Sequence, residues 1–124
     1  MVKKTVVGMD IEEGRKFIEL LQNSGVPLSA ALWEKTPFEF WKLNIVTPLV
    51  EQFGIKETYR RLDHILSNAR ERPAIDLLNV SVLTPRASFF RDLRRVFRNA
   101  RERPVNGQPV GDHTIGEGFI YFVK

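Results

Sequence analysis

Five arginines recur at helical spacing in the second half of the chain and have the chemistry to bind phosphate groups. They are Arg91, Arg94, Arg95, Arg98 and Arg101, and they fall within a helix predicted over residues 84–101. At about 100° per residue, these side chains occupy an arc of roughly 120° opposite the apolar residues of the same helix. A guanidinium binds phosphate oxygens through paired hydrogen bonds, and such contacts give an affinity that falls steeply with salt. The spacing predicts a basic helix face that contacts nucleic acid or an acidic protein; a face that meets only water is the alternative.

The positive charge of the chain is concentrated around this helix. The formal net charge is +4, from 19 Lys and Arg against 15 Asp and Glu. Residues 86–103 contain seven arginines against two acidic residues, so this stretch carries a net charge of +5 and the remainder carries −1. A local excess of this kind is typical of a domain with a polyanionic partner. Because neighbouring arginines repel one another, we expect an acidic counterpart, which is nucleic acid, a partner protein, or carboxylates of the same fold such as Glu51, Glu57 or Asp63.

A second group of candidate contacts lies on two neighbouring predicted strands. The register that we expect places Leu32 opposite Trp41. Alternation then brings Trp33 and Lys42 to one mixed and partly open face of the sheet. An aromatic ring beside a lysine can stack bases, so Trp33 and Lys42 are further candidate contacts to nucleic acid. The alternatives are that this face, or the last strand, forms a homodimer interface, or that the C-terminal segment covers the face.

Two Asp-His pairs, Asp63-His64 and Asp112-His113, have side chains suited to acid–base catalysis or metal binding. Neighbouring residues on a helix point to different sides, so Asp63 and His64 are not expected to face one site. No third ligand follows either pair at a characteristic spacing, and the sequence contains no cysteine. We therefore expect no metal site and no cofactor. A non-catalytic binding or regulatory domain is the first hypothesis, a homodimeric interaction module the second, and a small metal-dependent nuclease or hydrolase the third.

The elements that position these residues follow the order α-β-β-α-β-α-β. Predicted helices span residues 10–25, 55–72 and 84–101, and predicted strands span residues 26–34, 38–46, 75–83 and 118–123. Asn106-Gly107 indicates a tight turn before the last strand. The early strand pair and the terminal hairpin favour a mixed, mainly antiparallel sheet. Because the first three strands each show one apolar and one mixed face, we expect an α+β fold, a two-layer α/β sandwich with a sheet of about five strands and three helices on one face.

Length and composition indicate one domain over residues 1–124. The chain has 43% hydrophobic and 27% charged residues, which are ordinary values for a globular protein that folds around one core. No apolar run approaches the roughly 20 residues that a membrane-spanning helix needs. The first residues do not have the pattern of a signal peptide, and the lack of cysteine fits a reducing compartment. We therefore expect a cytoplasmic protein with no membrane contact.

Several short stretches carry a resemblance to a known family. They are Ala30-Ala31-Leu32-Trp33, Trp41-Lys42-Leu43, Thr47-Pro48-Leu49-Val50, Gly54 with Tyr59-Arg60, Val82-Leu83-Thr84-Pro85, and Phe119-Ile120-Tyr121. In these stretches the chain resembles a family of small bacterial proteins known mainly as hypothetical open reading frames. The resemblance spans most of the chain and implies one intact domain. No activity is established for that family, so the resemblance implies no catalytic residue.

Overall fold

The computed structural model describes residues 10–124, which form three helices and five strands. In chain order these are α1 (Ile11–Asn23), β1 (Ala30–Lys35), β2 (Trp41–Val46), α2 (Leu49–Ser67), β3 (Val80–Leu83), α3 (Ser88–Phe97), β4 (Arg101–Val110) and β5 (His113–Val123). A 3₁₀ turn, Leu77–Asn79, leads into β3. The described residues confirm the α+β class that the sequence predicts.

The five strands form one open, mixed sheet in the order β3-β2-β1-β5-β4. Strands β2 and β3 are parallel, and the other neighbours are antiparallel. The last strand, β5, therefore lies inside the sheet, with β1 on one side and β4 on the other. Over residues 118–123, the last strand predicted from the sequence, both hydrogen-bonding edges are already used, so this segment cannot pair with a second copy of the chain. The expectation of a homodimer through the last strand is wrong on this ground.

The helices cover both faces of the sheet. On one face, α1 and α2 contribute the buried residues Phe17, Ile18, Leu21, Leu62 and Leu66. On the other face, α3 contributes Phe90, Leu93 and Phe97, which pack near Leu32 and Ile120. The expectation that all three helices share one face is therefore wrong for α3. The physical reason is that residues 30–33 of the central strand β1 are all buried, so this strand needs apolar cover on both sides.

Strands β1 and β2 pair three residues away from the expected register. Leu32 lies opposite Asn44 rather than Trp41. The turn between the strands is short, because the Thr36 backbone N–H donates to the Phe40 carbonyl oxygen at 2.8 Å. A shift by an odd number of residues moves side chains to the opposite face. The mixed, partly open face that the sequence predicts is therefore not formed.

Trp33 instead points into the core under α1 and is only 3% exposed. Its Nε1 donates a hydrogen bond to the Tyr121 hydroxyl at 2.8 Å, and that hydroxyl donates to the Ile11 carbonyl oxygen at 2.7 Å. Gly14 of α1 lies directly over this pair, since a Cβ added there would be 2.2 Å from the Tyr121 hydroxyl oxygen. This network fixes α1 on the sheet and removes the Trp33 ring from the surface.

Helix α3 is shorter than the sequence predicts. The Thr84 hydroxyl accepts a hydrogen bond from the Arg86 N–H at 3.2 Å, and the Thr84 carbonyl accepts one from the Ala87 N–H at 3.0 Å. This segment is therefore a turn that precedes the helix. At the other end Asn99 adopts φ +67°, which ends the helical course, and β4 begins at Arg101.

The hairpin turn between β4 and β5 also differs from the expected position. Asn106 lies within β4, opposite Glu117 of β5. The chain reverses five residues later, at Gly111 and Asp112, where Gly111 adopts φ +62°. The hairpin is therefore longer than the sequence predicts, and His113 rather than Gly118 begins the last strand.

Candidate functional site

Four of the five predicted arginines lie together on one flank of α3. Arg91, Arg94 and Arg95 belong to the helix and Arg98 follows it directly; these four residues line an open concavity of about 380 Å³. Arg91, Arg95 and Arg98 are exposed, and Arg94 is half-buried. At about 100° per residue the four side chains span an arc of roughly 100°. The local sequence forms this flank because Phe90, Leu93 and Phe97 hold the opposite side of α3 in the core.

The charge on this flank is almost uncompensated within residues 10–124. Of the four arginines only Arg95 has a carboxylate partner there, with 3.4 Å between its Nη1 and Oδ1 of Asp92. The Arg95 side chain is 77% exposed, so this ion pair contributes little. Arg94 lies with its guanidinium carbon 5.7 Å from the centre of the Phe90 ring, and its Nε is buried with no hydrogen-bond partner in the part of the chain that the structure describes. The flank therefore presents a concentrated positive charge.

The acidic residues considered as internal counterparts do not neutralise it. Glu51 pairs with Arg86 at 2.9 Å, before the helix begins. Glu57 pairs with Arg60 at 3.6 Å and with Arg61 at 3.3 Å, both on its own helix α2. Asp63 makes no ion pair within the part of the chain that the structure describes. Glu51 and Glu57 thus form ion pairs with other arginines, and neither they nor Asp63 pair with the arginines of α3 among residues 10–124.

Arg101 does not belong to the helix face, which corrects the expected set of five. The chain leaves α3 before it, and Arg101 is an exposed residue at the start of β4. Arg103, which the sequence reasoning did not single out, lies with its guanidinium carbon 5.6 Å from the centre of the Phe97 ring. Only the strand pairing of β4 brings Arg103 to α3, and no local sequence signal indicates that pairing.

Trp33 and Lys42 are not brought to a common surface. Trp33 is a core residue, so it cannot stack on a base without opening the sheet–α1 interface. Lys42 is half-buried on β2, opposite Glu34 of β1. The prediction of a stacking platform at Trp33 is wrong, because the register puts Trp33 and Lys42 on opposite faces of the sheet and α1 covers the face to which the Trp33 ring points.

The two Asp-His pairs do not assemble a metal site. Among residues 10–124 no group of three or more His, Asp or Glu side chains is arranged to hold a metal ion. Asp63 and His64 are exposed on α2, where the His64 ring contacts the Asn68 amide at 3.3 Å. His113 instead meets Glu34, a contact that sequence reasoning missed because the two residues are 79 positions apart. The structure thus pairs His113 with a carboxylate other than its neighbour Asp112.

Comparison of the chain with family models, with curated protein sequences and with solved structures finds no match. Over residues 10–124, the helices are also too short or too polar for any of them to cross a bilayer. The candidate functions therefore rest on the residues and geometry of the chain itself.

Proposed function

We propose that this domain binds a polyanion through the arginine flank of α3, with nucleic acid as the best candidate. The flank consists of Arg91, Arg94, Arg95 and Arg98. The observation that supports the proposal is the concavity that these four guanidinium groups line, in which, among residues 10–124, a single exposed ion pair compensates the charge. Phosphate groups supply the missing charge and accept the paired hydrogen bonds that arginine donates.

The dimensions of α3 fit a duplex. Its ten residues extend about 15 Å, and a major groove about 12 Å wide admits an α-helix. The concavity is lined by arginines, with no Asn or Gln side chain to read an adenine edge. Arginine binds phosphate oxygens and also pairs with guanine edges, and we expect these four side chains to contact mainly the phosphate backbone, which positions a protein without reading sequence. We expect weak, sequence-independent binding, in the range of about 10⁻⁴ to 10⁻⁶ M at physiological salt.

A salt titration tests this proposal. With four phosphate contacts, the slope of log K against log salt is about −3.6, so affinity for a labelled duplex falls about 150-fold between roughly 50 and 200 mM salt. The Arg91→Gln/Arg98→Gln variant removes two contacts, so we expect its slope to be about −1.8. The matched control, Arg60→Gln/Arg61→Gln, removes two exposed arginines of α2 and should keep the original slope. Fluorescence polarisation measures both.

Two results would contradict the proposal. One is an affinity that is flat with salt or absent at low salt. The other is an equal loss in the Arg91→Gln/Arg98→Gln variant and in the α2 control, which would show that only net charge matters. Polyglutamate with the same number of charges as the duplex serves as a competitor. If it displaces the labelled duplex as well as an equal concentration of unlabelled duplex does, the flank is assigned to an acidic protein instead.

A further inference from the structure

A second polar cluster lies on the α3 side of the sheet, away from the arginine flank. At its centre is Glu34 of β1, which is only 5% exposed. The side-chain amide of Asn44, which is 2% exposed, donates a hydrogen bond to Glu34 Oε1 at 3.2 Å. The other carboxylate oxygen, Oε2, contacts Nε2 of His113 at the start of β5. Both oxygens of this buried carboxylate are therefore engaged.

The contacts of His113 fix its ring, and within residues 10–124 its Nδ1 makes no hydrogen bond. The edge-to-face contact with Phe89 of α3 has ring centres 5.3 Å apart and an interplanar angle of 88°. Because Nε2 faces a carboxylate, Nε2 carries the proton in the neutral ring and Nδ1 carries the lone pair. The His113 side chain is 47% exposed, whereas that of Glu34 is 6% exposed. A histidine base held by a buried carboxylate is the arrangement used for proton transfer to and from a substrate.

This pair lines a groove with room for a small substrate. The groove has a volume of about 400 Å³ and lies between the β1–β2 and β4–β5 hairpins. Lys35 also lines it, with its Nζ 3.3 Å from a Glu39 carboxylate oxygen and 3.5 Å from one of Glu117. These hydrogen bonds and charges, that of Glu39 first, raise the pKa of Lys35, so its ammonium stays charged at neutral pH. Three carboxylates against one ammonium disfavour an anionic substrate and favour an uncharged or cationic one.

We propose that this groove is a hydrolytic site for uncharged or cationic carboxylic esters, in which His113 is the general base and Glu34 and Asn44 are positioning residues. Nδ1 of His113 takes a proton from water as the water oxygen bonds to the acyl carbon. The ester C–O bond then breaks, and His113 returns the proton to the leaving alkoxide. The products are a carboxylic acid and an alcohol, and water is the single co-reactant. The proposal is independent of the arginine flank.

The sequence supplies a matched control, because His64 is the one other histidine in the chain. The substrate probe is p-nitrophenyl acetate, and the full chain is compared with its His113→Gln and His64→Gln variants. General base catalysis contributes about 10²-fold or more, so we expect saturable hydrolysis that falls about 10²-fold in His113→Gln and is unchanged in His64→Gln. Added imidazole should restore part of the rate to His113→Gly. A rate no higher than that of free imidazole, or an equal loss in both glutamine variants, would overturn the proposal.

Two further arms test the positioning residue and the substrate class. Glu34→Gln should lower kcat at least about tenfold with little change in KM, because it disturbs the base and not the groove. A parallel loss of both kcat and folded protein would mean that Glu34 is only structural. Hydrolysis of the anionic p-nitrophenyl phosphate at a comparable rate would overturn the charge argument.

A chemical modification keeps the proposal testable should His113→Gln fail to fold. In the His64→Gln chain, diethyl pyrocarbonate modifies His113 as the single histidine, and mass spectrometry follows the reaction. Loss of esterase activity in step with this modification supports the proposal. Activity that survives full modification of His113 overturns it.

Discussion

Replacing Gly14 with alanine tests the network that holds Trp33 inside the core. An added Cβ would lie 2.2 Å from the Tyr121 hydroxyl oxygen and 2.8 Å from Trp33 Nε1, both far closer than van der Waals contact. Tyr121 must therefore move away from its two hydrogen-bond partners, the Trp33 indole and the Ile11 carbonyl. The neighbourhood offers no flexible side-chain end that could yield instead.

The expected change in the free energy of unfolding combines two destabilising effects and one stabilising effect. Losing one buried and one part-buried hydrogen bond costs about 1–3 kcal/mol for each group left without a partner, and overpacking costs about 1–3 kcal/mol. Alanine in place of glycine stabilises a helix by about 1 kcal/mol. The net expectation for Gly14→Ala is a loss of about 2–8 kcal/mol in the free energy of unfolding, and the lower end of this range corresponds to a fall in Tm of roughly 10 °C.

Thermal and urea unfolding followed by circular dichroism measure this loss. Gly116→Ala is the matched control, since an added Cβ at Gly116 meets no atom within 4 Å. In the Tyr121→Phe background the hydroxyl is already absent, so Gly14→Ala should cost about 1–2 kcal/mol less there than in the parent chain. A parent-like Tm for Gly14→Ala, or strict additivity with Tyr121→Phe, would refute the close contact and with it the buried position of Trp33.

Three further predictions concern the pH dependence of stability and the hydrophobic cluster between α3 and the sheet. Burial raises the pKa of Tyr121 above that of an unfolded tyrosine, so the stability it contributes is present below about pH 10 and is lost as the pH rises further; Tyr121→Phe should flatten this alkaline loss in urea titrations. The backbone N–H of Ala74 lowers the pKa of Glu13 in the folded state. The stability that the Glu13 carboxylate contributes is therefore present above the pKa of the unfolded state and is lost as the pH falls through the pKa of the folded state. Glu13→Gln should lose less stability than the parent chain between about pH 6 and about pH 3. Leu93 of α3 is fully buried against the sheet, so Leu93→Ala should lower the free energy of unfolding in urea by about 2–5 kcal/mol. Val96 of the same helix is 44% exposed, so Val96→Ala should lower it by less than about 1 kcal/mol.

Local signals in the sequence were sufficient for the helices on the first face. Asp10 was expected to begin α1, and its side chain accepts a hydrogen bond from the Glu13 N–H at 3.0 Å. The second predicted helix begins directly after Gly54, which adopts non-helical φ and ψ values; the observed α2 also includes the turn before Gly54 and starts at Leu49. These features depend on residues within one turn of each other, which is why periodicity and capping preferences identify them.

Strand pairing depended on information that the local pattern lacks. Residues 30–33 are apolar on both faces, so alternation could not distinguish one register from another; the three-residue shift separates Trp33 from Lys42, and α1 buries the Trp33 ring. The sequence predicts a terminal hairpin but not the ten-residue length of β4, because Pro104 and Pro109 are typical of loops; here they lie in an edge strand, where a missing N–H is tolerated. The Glu34–His113 pair joins β1 to β5 across 79 residues and depends on the pairing of these two strands, so no spacing in the sequence could have indicated it.

The placement of α3 keeps the two candidate sites apart. At 100° per residue, Phe89 lies about 170° around the helix from the mean direction of the four arginines. Phe89 contacts His113, and the Asp92 carboxylate lies over Gly111 at the hairpin turn, so this flank of α3 packs against the β4–β5 hairpin. The opposite flank is left to carry the uncompensated guanidinium groups. A polyanion seated there would approach from the side away from the groove, where three carboxylates would otherwise repel it. The same helix can therefore hold His113 in position through one flank and offer its positive charge through the other, and removing either set of side chains should leave the other site intact.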